Sequence, residues 1–99
     1  MVEWTEPARN DVRAIYEYIA LDSKFYAKNT VRNIVERSAT LSESPEIGRV
    51  VPELGEKEIR EVFIYSYRII YQILPDRLAI LAIFHGHRDL KGIDIPVIG

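Results

Sequence analysis

Hydrophobic positions divide the chain into a first half patterned for helices and a second half patterned for strands. Val2-Glu3-Trp4-Thr5 alternates and reads as a short strand. Thr5 can cap a helix, with Glu6 and Pro7 in the first turn, where negative charge is favoured and a missing N–H costs nothing. Ala8, Val12, Ile15, Tyr16 and Ile19 then recur as one face of an amphipathic helix, with Arg9, Asp11, Arg13 and Glu17 opposite. Asp22-Ser23 interrupts the pattern and can cap a second helix. Its stripe is Ala27, Val31, Ile34, Val35, Ser38 and Leu41, with Lys28, Arg32 and Glu36 outside. So short a break predicts an antiparallel helical hairpin.

Ser42–Glu58 holds Pro45, Gly48, Pro52 and Gly55, the punctuation of a loop with room for a helical turn. Beyond it β-branched and aromatic residues take over. Strands are expected at about 58–65, 67–74 and 78–85, turning at Tyr65-Ser66 and Pro75-Asp76-Arg77, short enough for an antiparallel meander. The fold class is therefore α+β, in one domain over residues 1–99: a short N-terminal strand, a helical hairpin and a three-stranded meander (β-α-α-β-β-β). The middle strand of the meander is apolar on both faces, with Ile69, Tyr71 and Ile73 on one and Ile70 and Leu74 on the other. A two-layer fold leaves one face of such a sheet needing cover. The tail Ile93–Gly99 (IDIPVIG) is apolar, which suggests docking on a surface or on another chain.

Charge and composition narrow the chemistry. The chain is 47% hydrophobic and 28% charged, as expected of an ordinary globular protein. Residues 1–49 carry seven Lys/Arg against eight Asp/Glu and residues 50–99 six against seven, for a net charge of −2. Phosphate-gripping proteins draw affinity from a basic excess, which is missing here. With no cysteine, disulfides, thiolate metal sites and cysteine nucleophiles are excluded. The longest apolar run, near Leu78–Phe84, is far short of a bilayer span, so no membrane partner and a cytoplasmic location are expected. No phosphate loop, nucleophile elbow or carboxylate dyad stands out, and no cofactor or metal is expected.

Two features remain as candidate chemistry. Arg68 sits in an otherwise apolar strand and needs a partner there. A two-residue turn at Tyr65-Ser66 places Glu61 on the face of Arg68 and Gln72; a three-residue turn brings Arg60 beside Arg68 instead. The guanidinium fork then either forms a cross-strand ion pair or is available to an anion or a partner. At the strand exit His85, His87 and Arg88 cluster, suited to proton transfer or simply a polar terminus in which Arg88 and Asp89 satisfy each other. The tyrosines mostly fall on core-type positions rather than on a base-stacking platform.

Five segments together resemble the RelE/ParE toxin superfamily, also known as plasmid stabilisation toxins. They are WTEPARNDVRAIYEYI at 4–19, SPEIGRVVPEL at 44–54, IREV at 59–62, SYRIIY at 66–71 and HGHRDL at 85–90. The resemblance implies the same hairpin-and-meander fold. It also implies a type II toxin whose cognate antitoxin lays an extended or helical segment over the apolar groove, assembled as a homodimer or a toxin–antitoxin hetero-oligomer. The RelE-like branch cuts mRNA on the ribosome; there Arg68 would stabilise the cyclising phosphate and His85 or His87 would move the proton. This chain departs from that branch, reading Ile59-Arg60-Glu61 where RelE carries lysines and having no tyrosine after Tyr71. The ParE-like branch is described as inhibiting DNA gyrase by protein binding, and the hairpin motif and HGHRDL exit look closer to it. On that reading Arg60, Arg68, His85, His87 and Arg88 form an exposed partner-binding surface. A third reading, an inactive member serving as an assembly or regulatory partner, is favoured by Arg68 locked by Glu61 and by buried histidines.

Overall fold

A computed structural model describes residues 1–86 and 88–99. Strand β1 (Val2–Trp4) leads into helices α1 (Glu6–Ala20) and α2 (Lys24–Ala39). Both caps form as expected: Thr5 Oγ1 accepts from Ala8 N–H and Ser23 Oγ from Tyr26 N–H. Two short 3₁₀ turns, Thr40–Glu43 and Pro45–Ile47, lead to β2 (Arg49–Val50), and the meander follows as β3 (Ile59–Ile64), β4 (Tyr67–Ile73) and β5 (Leu78–His85). The sheet order is β1-β5-β4-β3-β2, with β1 parallel to β5 and the other pairs antiparallel. The sheet is thus mixed and five-stranded, because two residues of the expected loop pair with β3 as an additional edge. No helix among the described residues is long and apolar enough to cross a membrane.

The helices cover one face. Ala8 and Ile34 meet Val62, Ile69, Tyr71, Leu78, Ile80 and Ile83 there, joined by Leu41 from the first 3₁₀ turn. Two positions on the helices depart from the simple stripe. Val35 is 44% exposed although its spacing suggested burial. Asp11, expected on the outer face, turns inward: its Oδ2 accepts the Ile83 N–H at 2.9 Å. The reason lies in β5, where the register with β4 shifts between Ile70 and Tyr71 and leaves Leu81 as an extra residue. Past Ile80, β1 no longer pairs with β5, so Ile83 offers its N–H and Asp11 takes it. Burial pushes the Asp11 carboxyl above its ordinary value, against the opposing effects of that hydrogen bond and of Arg88.

The opposite face is closed by the chain's own tail. Leu90, Ile95 and the partly buried Ile93 and Ile98 pack on Ile59, Ile70, Ala79 and Leu81, together with Val51. The apolar tail therefore docks on its own sheet, and the excess apolar face needs no second protein to cover it.

Tyr71, fully buried on the helix side, ties the long connection to the sheet. Its hydroxyl donates to Pro45 O at 2.6 Å and accepts from Gly48 N–H at 3.0 Å. A Cβ on Gly48 would stand 2.5 Å from that hydroxyl and 2.7 Å from Glu61 O, so the close approach requires glycine. Tyr71→Phe, which strands the Gly48 N–H, should cost ~1–3 kcal/mol in urea unfolding. Gly48→Ala, which pushes the same strands apart, should cost ~1–3 kcal/mol. The pair should be less than additive, since both loosen one contact.

Candidate functional site

The hairpin between β3 and β4 adopts the two-residue turn. Ile64 pairs with Tyr67 and Phe63 with Arg68, while Tyr65 takes a positive φ of 54°. Glu61, Arg68 and Gln72 consequently share the face opposite the helices. Arg68 Nε donates to Glu61 Oε1 at 2.7 Å and Nη2 donates to the same oxygen. A second carboxylate completes the fork: Nη1 and Nη2 of Arg68 donate to Glu53 Oε2 and Oε1 at 3.1 and 3.0 Å. Glu61 uses its other oxygen, Oε2, to accept from Arg49 Nε. Two cations and two carboxylates thus balance, and among the described residues no buried side-chain N or O lacks a hydrogen-bond partner.

Burial decides what this cluster can do. The Arg68 side chain is 5% exposed and that of Glu61 0%, while Glu53 and Arg49 reach solvent at 22% and 61%. Arg68 was expected on an exposed surface; it is instead buried and neutralised, because an unpaired guanidinium on this apolar face would be too costly. Hydrogen bonds from Arg68 hold the Glu53 carboxyl down at about 2, with smaller help from the backbone amides of Glu53 and Leu90. Those to Glu53, and then to Glu61, keep Arg68 above its ordinary value. Glu53 was missing from the sequence reading. It is one of five acids in the Ser42–Glu58 loop, which has no periodicity, and nothing local singles it out from Glu43, Glu46, Glu56 or Glu58.

The other candidates separate. Arg60 is not exposed either: half-buried, it donates from Nη1 to Gly48 O at 2.9 Å and from Nε to Lys57 O at 3.0 Å, clamping the loop. His85 is exposed at the end of β5, with its ring edge-on to Tyr67 at 6.0 Å. Arg88 is exposed and lies over the Phe84 ring at 5.4 Å, rather than bonded to Asp89; the Asp89 carboxylate accepts from Lys91 N–H. His87 lies outside the described residues. Of the inactive-partner conditions, Arg68 is locked by Glu61 but His85 is not buried. Beside His85 opens a cleft lined by Ala14, Ile15, Tyr18, Tyr67 and Ile83, with Tyr18 74% exposed at its rim. Among the described residues no group of three or more His, Asp or Glu is placed to hold a metal ion.

Removing Arg68 leaves Glu61 buried without its main counter-ion. Arg68→Ala should therefore destabilise by ~3–5 kcal/mol in urea unfolding, whereas His85→Ala and Arg88→Ala, at the surface, should stay within about 0.5 kcal/mol of the parent. The depressed Glu53 pKa also has a sign. Its contribution is complete above the ordinary value of 4.5 and is lost as pH falls toward about 2. Glu53→Gln should accordingly be less stable than the parent near neutrality, and the gap should narrow through that acid window.

The comparisons agree with this architecture. The family described as "ParE toxin of type II toxin-antitoxin system, parDE" matches residues 2–90. No curated protein matches the chain. Among solved structures, the chromosomal ParDE toxin–antitoxin system of P. aeruginosa is similar with a TM-score of 0.71 and 24% identity, over 85% of this chain and 92% of that one. The toxin–antitoxin complex RelBE2 of Mycobacterium tuberculosis is similar with a TM-score of 0.61 and 22% identity, over 86% and 95%. At these identities the two structures speak for the fold, and the family match over nearly the whole chain carries the assignment. This chain belongs to the ParE toxin family of type II toxin–antitoxin systems.

Proposed function

We propose that this toxin acts in the cytoplasm by binding DNA gyrase, without a hydrolytic site of its own, and is neutralised by a cognate antitoxin. The observation that carries this reading is the state of Arg68. A nuclease needs its sheet arginine free to meet phosphate charge as it develops, and here both edges of the fork are taken by Glu61 and Glu53. The docking surface we favour is the His85 end of the sheet, where exposed Tyr18 and His85 line an open cleft and the exposed Arg88 follows, over the Phe84 ring. Tyrosine and arginine around a partly apolar depression are the residues that dominate protein–protein binding energy. Outside this surface Arg68 and Arg60 serve as positioning residues, holding the sheet and the loop.

Two assays separate the readings. Purified protein should inhibit supercoiling by gyrase and leave ribosome-bound message intact, and His85→Ala with Arg88→Ala should weaken inhibition while the fold survives. Cleaved message with unaffected supercoiling would establish the nuclease reading instead. Expression without antitoxin should arrest growth; a folded protein that leaves growth untouched would favour the inactive partner. Arg68→Ala is unsuitable for this purpose, since its loss of stability would abolish either activity.

A further inference from the structure

Past Trp4 no strand lies beside the outer edge of β5, and α1 with its cap supplies side chains in its place. Thr5 donates its N–H to Ile80 O at 3.2 Å and its hydroxyl to the same oxygen at 2.8 Å, with Leu81 O at 3.3 Å. Asp11 comes next along that edge, where its Oδ2 accepts the Ile83 N–H at 2.9 Å. Among the described residues this is the last side-chain tie from α1 to β5 before the strand ends at His85. On the side of β4, Gly86 N–H donates to Ser66 O, so the end of β5 is held from both edges. The residues next to the Asp11 tie face each other across the cleft. Ala14, Ile15 and Tyr18 stand one and two turns after Asp11 on α1, and His85 stands two residues after Ile83; all of them line the opening, with Ile83 and Tyr67. Helix and strand belong to different layers, and packed layers can slide by small amounts. A hydrogen bond aimed at one amide fixes their register. The tie does not need a charge. Burial penalises the Asp11 carboxylate, against the opposing effects of the Ile83 hydrogen bond and of Arg88, the cation that acts on it. An amide oxygen would accept the same N–H without that penalty.

We propose that Asp11 is a positioning residue of the target-binding surface: through the Ile83 N–H it holds the end of β5 against α1, and so sets His85 opposite Tyr18 across the cleft. This rests on the reading of the His85 end as the docking surface, and not on gyrase being what docks there. Asp11 does not itself line the cleft; it acts through Ile83 and His85. What matters is therefore the length of the side chain and its acceptor oxygen. A shorter side chain leaves the Ile83 N–H without its acceptor, and a longer one pushes the strand away from the helix. Either change shifts His85 relative to Tyr18 while leaving both side chains in place.

The test uses the full chain, with growth arrest under graded expression as a readout that presupposes no target. Folded Asp11→Ala and Asp11→Glu should each need at least about tenfold more protein than the parent for the same arrest, whereas Asp11→Asn should stay within about twofold. Hydrogen exchange at the Ile83 amide should be faster in Asp11→Ala and return to the parent rate in Asp11→Asn. Adding Asp11→Ala to His85→Ala should cost little beyond His85→Ala alone, whereas a residue that merely supports the fold would add its full effect. Should Asp11→Ala not fold, the contrast between Asp11→Asn and Asp11→Glu decides. Asp11→Asn as weak as Asp11→Ala would assign the effect to charge and overturn the proposal. So would a folded Asp11→Glu as potent as the parent, or full additivity with His85→Ala. Supercoiling assays on the same proteins keep the two readings apart. Growth arrest that follows the Asp11 series, with supercoiling untouched even by the parent, would sink gyrase as the target and support Asp11. Inhibition of supercoiling that is indifferent to the series would do the reverse. A parent without either effect would overturn both.

Discussion

An arginine in the middle of an apolar sheet has to be neutralised, and much of this structure follows from how Arg68 is. Glu61, two positions diagonal on β3, supplies the first carboxylate and is itself sealed from water. Glu53 supplies the second, from the connection between β2 and β3, and so draws that loop down over the sheet. Arg49 then balances Glu61 from β2. On the other face of β4, Tyr71 grips the same connection at Pro45 and Gly48. A stretch rich in proline and glycine is thus held from both sides of one strand, by an ion network on one and a buried hydroxyl on the other. Such networks are weak evidence for net stability, because desolvation offsets most of the attraction. Their effect is on uniqueness: with one partner gone, the others are left buried and wrongly paired.

Legibility in the sequence followed the distance over which each feature is decided. Thr5 and Ser23 cap helices within three residues of themselves, and the strands follow from alternation. The Tyr65-Ser66 turn was visible, and with it the alternative that put Glu61 beside Arg68; sequence could not choose between a two- and a three-residue turn. The rest is decided far along the chain. Glu53 meets Arg68 from 15 residues away, Asp11 meets Ile83 from 72, and Gln72 meets Ile98 from 26. None leaves a periodic trace. The shift opposite Ile70 and Tyr71 likewise hides inside an apolar run that looks uniform. As a result Arg68 and Arg60 read as surface cations, when both hold the molecule together.

What this leaves for function is a small and specific surface. The family match places the chain in the ParE toxin family, and the fold brings His85 and the exposed Tyr18 together at one end of the sheet, with the exposed Arg88 following β5. Among the described residues, Arg68 and Arg49 are spoken for: Arg68 by carboxylates, Arg49 by Glu61 and the Phe63 ring. A net acidic protein with its sheet arginine buried is poorly equipped to hold a polyanion. It is better suited to meeting another protein through aromatic and arginine contacts at a rim.

The central claim is that Arg68 serves structure and not the target. It is tested most directly by replacing the buried pair with apolar residues of similar size, Arg68→Met with Glu61→Leu, a change that often leaves stability intact. Growth arrest on expression is then compared with that of the parent, with circular dichroism confirming the fold. If Arg68 is a positioning residue, the folded double variant arrests growth as the parent does. A folded double variant that is harmless, beside a toxic parent, would contradict the account and return Arg68 to the functional surface.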